Sequence, residues 1–429
     1  MRFGANRTIE LALVYNLFMD ALTEIPRVGG EMELEIMDVA YRGSGIARRE
    51  GVVVFVPGTL PGEVATVRIT GSGKRFLTGE VLEILKPSPD RIAPCCRLAD
   101  GTHVPGCVYD HAAYSAEVAL KDAQLRNFLR KLVTDNEGVF LPPAPSPLPL
   151  HYRNKAVFHV QKGPDGALRA GYLGDDNRTV IDIPSCPLAD EAINAAWAQL
   201  RAEGKLRDGD SVTFRHTKAD GVVSWIGRPS EKARWLTEDS AVGPVLVPLD
   251  GFFQVNPPVA NALVADVRAW VAEAARETGA TRLLDLYCGV GVFGLAAARD
   301  GIAEVVGVES GRNAIAAARR NARNLGATRA TFHCETAAEA ARKGFHCADL
   351  SRTIVVVDPP RSGMERAAAE ALAKAGPPAI VYVSCDPATL TRDLAIFASQ
   401  GYAVRRARVF DMFPRTLHFE TAVLLSRKG

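Results

Sequence analysis

The sequence predicts an α/β protein whose C-terminal part is a doubly wound sheet, preceded by a small β-barrel and a mixed α+β region. Three observations predict it. Beyond about residue 250, apolar runs at 282–286, 304–309, 353–358 and 379–384 alternate with helical stretches such as 312–325; strands with no polar face are buried on both sides of a parallel sheet. Between Gly30 and Lys86, β-rich runs at 32–36, 51–56, 63–69 and 78–84 follow one another at turn-sized intervals, the spacing of a small barrel. The length, 429 residues, exceeds what one hydrophobic core serves.

Taken in order, residues 1–30 are an unassigned extension. Its apolar run at 11–19 is short, follows Glu10 and lacks a small-residue cleavage site, so neither a signal peptide nor a membrane span is expected. Residues 31–88 make the barrel. Turns at Gly43-Ser-Gly45 and 57–62 punctuate it, and Arg48, Arg49, Lys74 and Arg75 are expected on its loops as cations for single-stranded nucleic acid. Residues 89–245 form the mixed region: a cysteine-rich loop, a helix over 112–132, a proline-rich connection at 142–149 that should be an extended linker, and a strand over 151–160 carrying Arg153 and Lys155. Residues 246–429 are the sheet domain.

The formal charge of +2 is nearly neutral, so nucleic-acid binding must rest on local basic surfaces. Arginine and lysine do cluster at 42–49, 74–75, 126–131, 319–323 and 405–408. The cysteines at 95, 96, 107, 186, 288, 334, 347 and 385 form no regular framework for so long a chain. That usage points to a reducing compartment, the cytoplasm.

Cys385 ends the run Ala379-Ile-Val-Tyr-Val-Ser-Cys385. A thiol just past a buried strand faces the crevice where such sheets hold ligands, and its thiolate is a strong nucleophile. Asp285-Leu-Tyr-Cys-Gly-Val-Gly291 follows the first sheet strand, where glycines let backbone approach a ligand at a helix N-terminus. Glu309 closes the second strand, placed for a ribose diol. An acidic first loop repels pyrophosphate and suits the cationic S-adenosylmethionine. Asp358-Pro-Pro-Arg361 is a rigid turn that can present a carboxylate to a base edge. In 416–423, Glu420 lies within an apolar strand, where burial raises a carboxyl pKa toward that of a general base.

Phe252-Phe-Gln-Val-Asn256, Asp285-Leu-Tyr-Cys-Gly-Val-Gly291, Asp358-Pro-Pro-Arg361, Ser384-Cys-Asp-Pro387 and His418-Phe-Glu420 together resemble the RNA 5-methyluridine methyltransferase family, and the barrel resembles its OB-like TRAM domain. The resemblance runs from about residue 31 to the end. It implies a Rossmann-like methyltransferase domain, S-adenosylmethionine as cofactor and RNA as partner; apart from the resemblance, a cytoplasmic monomer without membrane association is the expected state. It also implies that Cys385 is the nucleophile and Glu420 the base, and that Gln254, Tyr287, Val292, Glu309, Thr336 and Asp358 contact the cofactor. Val292 and Thr336 depart from the family, which has polar groups, often an amide or carboxylate, at those places.

Carbon 5 of uracil attacks a methyl sulfonium poorly, but addition of a thiolate at carbon 6 turns the ring into an enolate whose carbon 5 can attack. The base then removes the carbon 5 proton. Such a uridine must be unpaired or flipped out. The TRAM resemblance points to 23S ribosomal RNA, with transfer RNA as the alternative. Methylation of a base amine, which needs no Cys385, and a non-catalytic RNA-binding protein are the competing readings. The family's iron–sulfur version holds a [4Fe–4S] cluster by Cys-x5-Cys-x2-Cys and a distant Cys. Here Cys95, Cys96, Cys107 and Cys186 are the four candidates; Val104 stands in the place of the second ligand, and two of the four are adjacent.

Overall fold

The computed structural model describes residues 27–133, 137–229, 235–347 and 349–427, so most of the N-terminal extension lies outside the described residues. The chain divides into two compact units, Met1–Cys95 with Val108–Leu120, and Cys96–Cys107 with Lys121–Gly429.

The first unit holds six strands where four or five were expected: β1 (Glu31–Glu35), β2 (Asp38–Val39), β3 (Ser44–Arg49), β4 (Val52–Pro57), β5 (Val64–Ser72) and β6 (Phe76–Lys86). They pair in the order β1-β5-β6-β4-β3-β2. Register shifts between β5 and β6 coil these long strands, as bulges do, and let so short a sheet curl around Leu34, Ile36, Ala47, Val54, Val56, Ala65, Val67, Ile69 and Leu77. Glycine is required where β6 passes under the Val67 side chain of β5: a Cβ on Gly79 would collide with Val67 Cγ1. Arg48 and Arg49 sit on β3, not on loops, because the Gly43-Ser-Gly45 turn passes directly into a strand. Glu63, fully buried, accepts from the Leu60 and Ser88 amides at 2.8 and 3.1 Å and from Arg91 Nη2 at 2.7 Å. Burial opposes its ionisation, but these donors prevail and hold its pKa below the ordinary value.

Helix α1 (Tyr114–Leu129) is followed by β7 (Lys155–Lys162), β8 (Leu168–Leu173), β9 (Val180–Asp182), α2 (Glu191–Ala202), β10 (Ser211–Thr217) and β11 (Gly221–Ile226). The strands form an antiparallel sheet ordered β11-β10-β7-β8-β9. Trp197 of α2 stacks on Phe158 of β7 with ring centroids 4.3 Å apart and meets Phe214 edge-on, contacts worth about 0.5–1.5 kcal/mol each beyond area burial. Arg153 precedes β7 instead of lying on it; its backbone bridges Ala189. The proline-rich stretch is no free linker either. Residues 140 and 144 bridge to residues 407 and 410, capping an exposed sheet edge with segments that can donate few hydrogen bonds.

After the hairpin β12 (Trp235–Ser240) and β13 (Gly243–Pro248) come α3 (Pro257–Thr278), β14 (Arg282–Leu286), α4 (Val292–Arg299), β15 (Glu304–Glu309), α5 (Arg312–Asn324), β16 (Ala330–Cys334), α6 (Ala337–Arg342), β17 (Thr353–Val357), α7 (Arg366–Ala375), β18 (Ala379–Ser384), α8 (Pro387–Ser399), β19 (Tyr402–Phe410) and β20 (Glu420–Arg427). The sheet order is β16-β15-β14-β17-β18-β20-β19. Every residue of β17 and β18 is buried, as covering on both faces demands. The order reverses at β14, whose neighbours are β15 on one side and β17 on the other; such switch points open a crevice beyond the strand ends.

Strands β14, β15, β17 and β18 pair in parallel as expected. β20 inserts antiparallel between β18 and β19, because a direct return from β19 reverses direction without a crossover helix. The consequence is functional: β20 begins at the sheet edge where β18 ends. Among the described residues no helix is long and apolar enough to cross a membrane.

Candidate active site

Cys385 follows β18 and Glu420 opens β20. Since Ser384 pairs with Thr421, the thiol and the carboxyl occupy the next step of that ladder and face one crevice. Cys385 is half-buried, and burial first, then the Glu420 and Asp358 carboxylates, push its thiol up to about 12, with Arg361 pulling the other way. Glu420 is 4% exposed. Burial, with Asp358 second, raises its pKa far above the carboxylate range, against the Gln254 amide, whose Nε2 donates to Oε1 at 3.5 Å, and Arg361.

Acidic groups line the crevice beyond β14, β15 and β17. Asp285, fully buried, takes the Gly294 amide on Oδ2 at 2.8 Å; burial, helped by Asp358 and Glu309, lifts its pKa to about 7. Asp358 is raised by burial and by Glu309. Glu309 Oε1 accepts the Gly311 amide at 2.7 Å. Gly291 takes a φ of 92° as the residue before α4, and a Cβ there would meet the Phe332 ring at 3.2 Å, so only glycine makes this turn.

Five of the six cofactor residues expected from the sequence come to this crevice. Tyr287 follows β14 at a φ of 62°, Glu309 ends β15, Thr336 precedes α6, Asp358 follows β17, and Gln254 lies against Glu420. Among the described residues no lysine or arginine pairs with Asp285, Glu309 or Asp358, while Asp285 Oδ1, Gln254 Oε1 and Glu420 Oε2 are buried without a hydrogen-bond partner. Carboxylates gathered without a cation fit a cationic sulfonium and amine, and the orphaned oxygens fit a ligand's donors. Two residues behave differently. Val292 packs on the apolar cluster of Val242, Val245, Val247 and Val264. Thr336 is the cap of α6: its Oγ1 accepts from the Glu339 amide at 3.2 Å while Glu339 Oε2 accepts from the Thr336 amide at 2.8 Å. That capping box is legible in Thr336-Ala-Ala-Glu339.

Two residues given no role by the sequence reading stand beside Cys385. The Arg361 guanidinium is exposed and acts electrostatically on Cys385, Glu420 and His418. His418 has a buried Nδ1 without a partner, and burial followed by Arg361 and Arg153 pushes its pKa down to about 4, so the ring is neutral. The signal was available: His418 and Glu420 are two apart in extended chain and share a face.

Of the four candidate cysteines, Cys96, Cys107 and Cys186 are at most 1% exposed, and Cys95 is half-buried. Val104, 1% exposed, fills its place with aliphatic carbon. Cys186 is fixed through its backbone by Asn194, which gives and takes hydrogen bonds of 2.9 Å. Burial and then Cys186 push the Tyr172 phenol well above its ordinary pKa, with Cys107 contributing.

The family profile described as tRNA (Uracil-5-)-methyltransferase matches residues 248–428, and that of the TRAM domain matches residues 27–82. The chain is 32% identical to 23S rRNA (uracil(1939)-C(5))-methyltransferase RlmD of Halomonas elongata, over 92% of this chain and 89% of that protein. The chain belongs to the RNA 5-methyluridine methyltransferase family. It is thus an RNA (uracil-5-)-methyltransferase, and S-adenosylmethionine is its methyl donor. The chain is also 33% identical to an uncharacterized RNA methyltransferase of Streptomyces coelicolor, over 93% of each chain. The fold matches the crystal structure of Pyrococcus abyssi tRNA (uracil-54, C5)-methyltransferase in complex with S-adenosyl-L-homocysteine, with a TM-score of 0.69, 24% identity and coverage of 92% of this chain and 99% of that one.

Proposed function

We propose that this methyltransferase modifies carbon 5 of a uridine in 23S ribosomal RNA through a transient bond from Cys385 Sγ to carbon 6 of the ring, acting in the cytoplasm as a monomer. The observation that carries the mechanism is the adjacency of Cys385 and Glu420 at the meeting of β18 and β20. The ribosomal assignment rests on likeness to the Halomonas elongata enzyme.

Cys385, having lost its proton to solvent, forms the S–C6 bond, and the C5–C6 π pair moves into an enolate. Carbon 5 then bonds to the methyl carbon as the methyl–sulfur bond of the donor breaks, leaving a neutral thioether. Glu420 takes the carbon 5 proton, the C5–C6 double bond re-forms, and the S–C6 bond breaks with the sulfur leaving as thiolate. Asp285, Glu309 and Asp358 hold the donor's cationic end and ribose, with Tyr287 and Gln254 beside them. Val292 contributes its backbone and apolar surface, and Thr336 shapes the turn.

A transcript carrying 5-fluorouridine at the target tests this, because fluorine cannot leave as a cation and the adduct cannot collapse. Wild type should become trapped on Cys385, and Cys385→Ala should neither be trapped nor transfer methyl. Glu420→Gln should accumulate the adduct on ordinary uridine. Undiminished transfer by Cys385→Ala would instead indicate amine methylation. Mapping the label after incubation with RNA from a strain lacking the enzyme distinguishes ribosomal from transfer RNA.

The same reading extends to a [4Fe–4S] cluster held by Cys96, Cys107 and Cys186, with Cys95 as the fourth thiolate. It is supported by three buried thiols and by the Arg153 cation, within electrostatic reach of Cys186. The cluster would cross-link the loop at 95–107 to the turn between β9 and α2 that carries Cys186. Anaerobically purified protein should be brown and contain iron; a colourless, iron-free and fully active preparation removes this part of the reading.

A further inference from the structure

Outside the carboxylate and thiol crevice, a second cluster of metal-ligating side chains forms where β16 ends. His333 and Glu335 are two apart in extended chain and so share a face. The chain returns through the short turn Gly344–His346, in which all three residues have positive φ, of 64°, 56° and 54°. Non-glycine residues hold that conformation only where the surroundings enforce it. Here Phe345, 2% exposed, anchors the turn and delivers the His346 ring parallel to that of His333, with centroids 3.8 Å apart. His346 Nε2 contacts Glu335 Oε1, and the Glu335 side chain is 8% exposed.

We propose that His333, Glu335 and His346 form a binding site for a divalent first-row transition ion of the zinc type. One ligand atom from each residue lies within 4.8 Å of the others. Nitrogen and oxygen ligands stand about 2.0–2.2 Å from zinc, so two of them across one ion are up to about 4.4 Å apart; small ring rotations, turning the stacked imidazoles to converge, complete the set. Two imidazoles with one carboxylate suit zinc, cobalt, nickel or copper better than magnesium or calcium, which prefer oxygen alone. Lys343, whose side chain is 59% exposed, now neutralises Glu335 and can yield to the ion by swinging into solvent. A fourth position is left for water.

The ion would tie the strained turn to β16. It would also brace the cofactor side of the fold, because the Glu335 amide donates to the Glu309 carbonyl at 3.1 Å and Thr336 is the next residue. The proposal stands independently of the methyl-transfer mechanism.

Equilibrium dialysis of untagged, chelator-treated full-length protein with Zn²⁺ tests it, together with the visible spectrum of the Co²⁺ form. Wild type should bind one ion more per chain than His346→Gln or Glu335→Gln. Its thermal midpoint should rise with Zn²⁺, and that rise should be reduced in both variants. The Co²⁺ difference spectrum, wild type minus variant, should contain ligand-field bands without the intense thiolate charge-transfer bands that a cysteine site produces. Equal stoichiometry in wild type and both variants, or a difference spectrum of thiolate character, overturns the proposal. His346→Gln changes a surface-reachable ring, 24% exposed, so the test does not depend on disturbing the core.

Discussion

At Cys385 the surroundings work against ionisation, since burial and two carboxylates hold the thiol up to about 12 while Arg361 is the cation opposing them. The thiolate is therefore scarce at neutral pH, and single-turnover methyl transfer should accelerate as pH rises between about 6 and 9. Removing the guanidinium with Arg361→Ala should slow transfer at every pH in that range and move the profile toward alkali. Each unit added to the thiol pKa lowers the thiolate fraction about tenfold. An unchanged profile would mean that the arginine acts on RNA alone. Glu420 and Cys385 were legible as residues because polar or nucleophilic groups at the ends of apolar runs are costly without a purpose. Arg361 and His418 were passed over because their meaning depends on what stands across the crevice from them.

Among the elements, α6 illustrates how a local contest is decided. Thr336 falls where the family contacts its cofactor, yet both its hydroxyl and its amide are engaged with Glu339. Thr336→Ala should cost about 1 kcal/mol of stability, the usual value of such a cap, measured by urea unfolding. A loss far below this would show that the cap is dispensable. The strands β14, β15 and β18 begin and end where the apolar runs do, because burial on both faces leaves no ambiguity of period. The barrel's β3 was read partly as loop, since Ser-Gly-Ile-Ala-Arg-Arg has too few apolar residues to reveal its alternation before its partners are known. The capping proline stretch was read as a linker for a similar reason: prolines announce extended chain but not what it lies against.

For the whole molecule, the buried acids couple stability to pH. Asp285 is about 7 when folded against about 3.9 for an unfolded aspartate, and Asp358 and Glu420 are shifted in the same direction. A raised pKa means the folded state keeps its proton while the unfolded chain has lost it, so this stability is complete below about pH 4 and declines up to the folded value. His418, pushed down to about 4, works oppositely over much of that window, but as one group against three. Carboxylates held low, such as Glu63 and Glu273, lose their contribution only at more acid pH. The cofactor-free protein should therefore become less stable between about pH 5 and 7 by chemical denaturation, and Asp285→Asn should flatten part of that slope. A stability that climbs toward pH 7 in wild type would contradict the burial of these acids. By itself the sequence determined the strand and helix periods, the glycine turn, the thiol at a strand end and the family, because each is written in residues close along the chain. Only the tertiary structure decided that β20 runs antiparallel beside β18 and so brings Glu420 to Cys385, and that Gly344–His346 folds back on His333. Those pairings join residues far apart in the chain, and their energies come from contacts that no local pattern encodes.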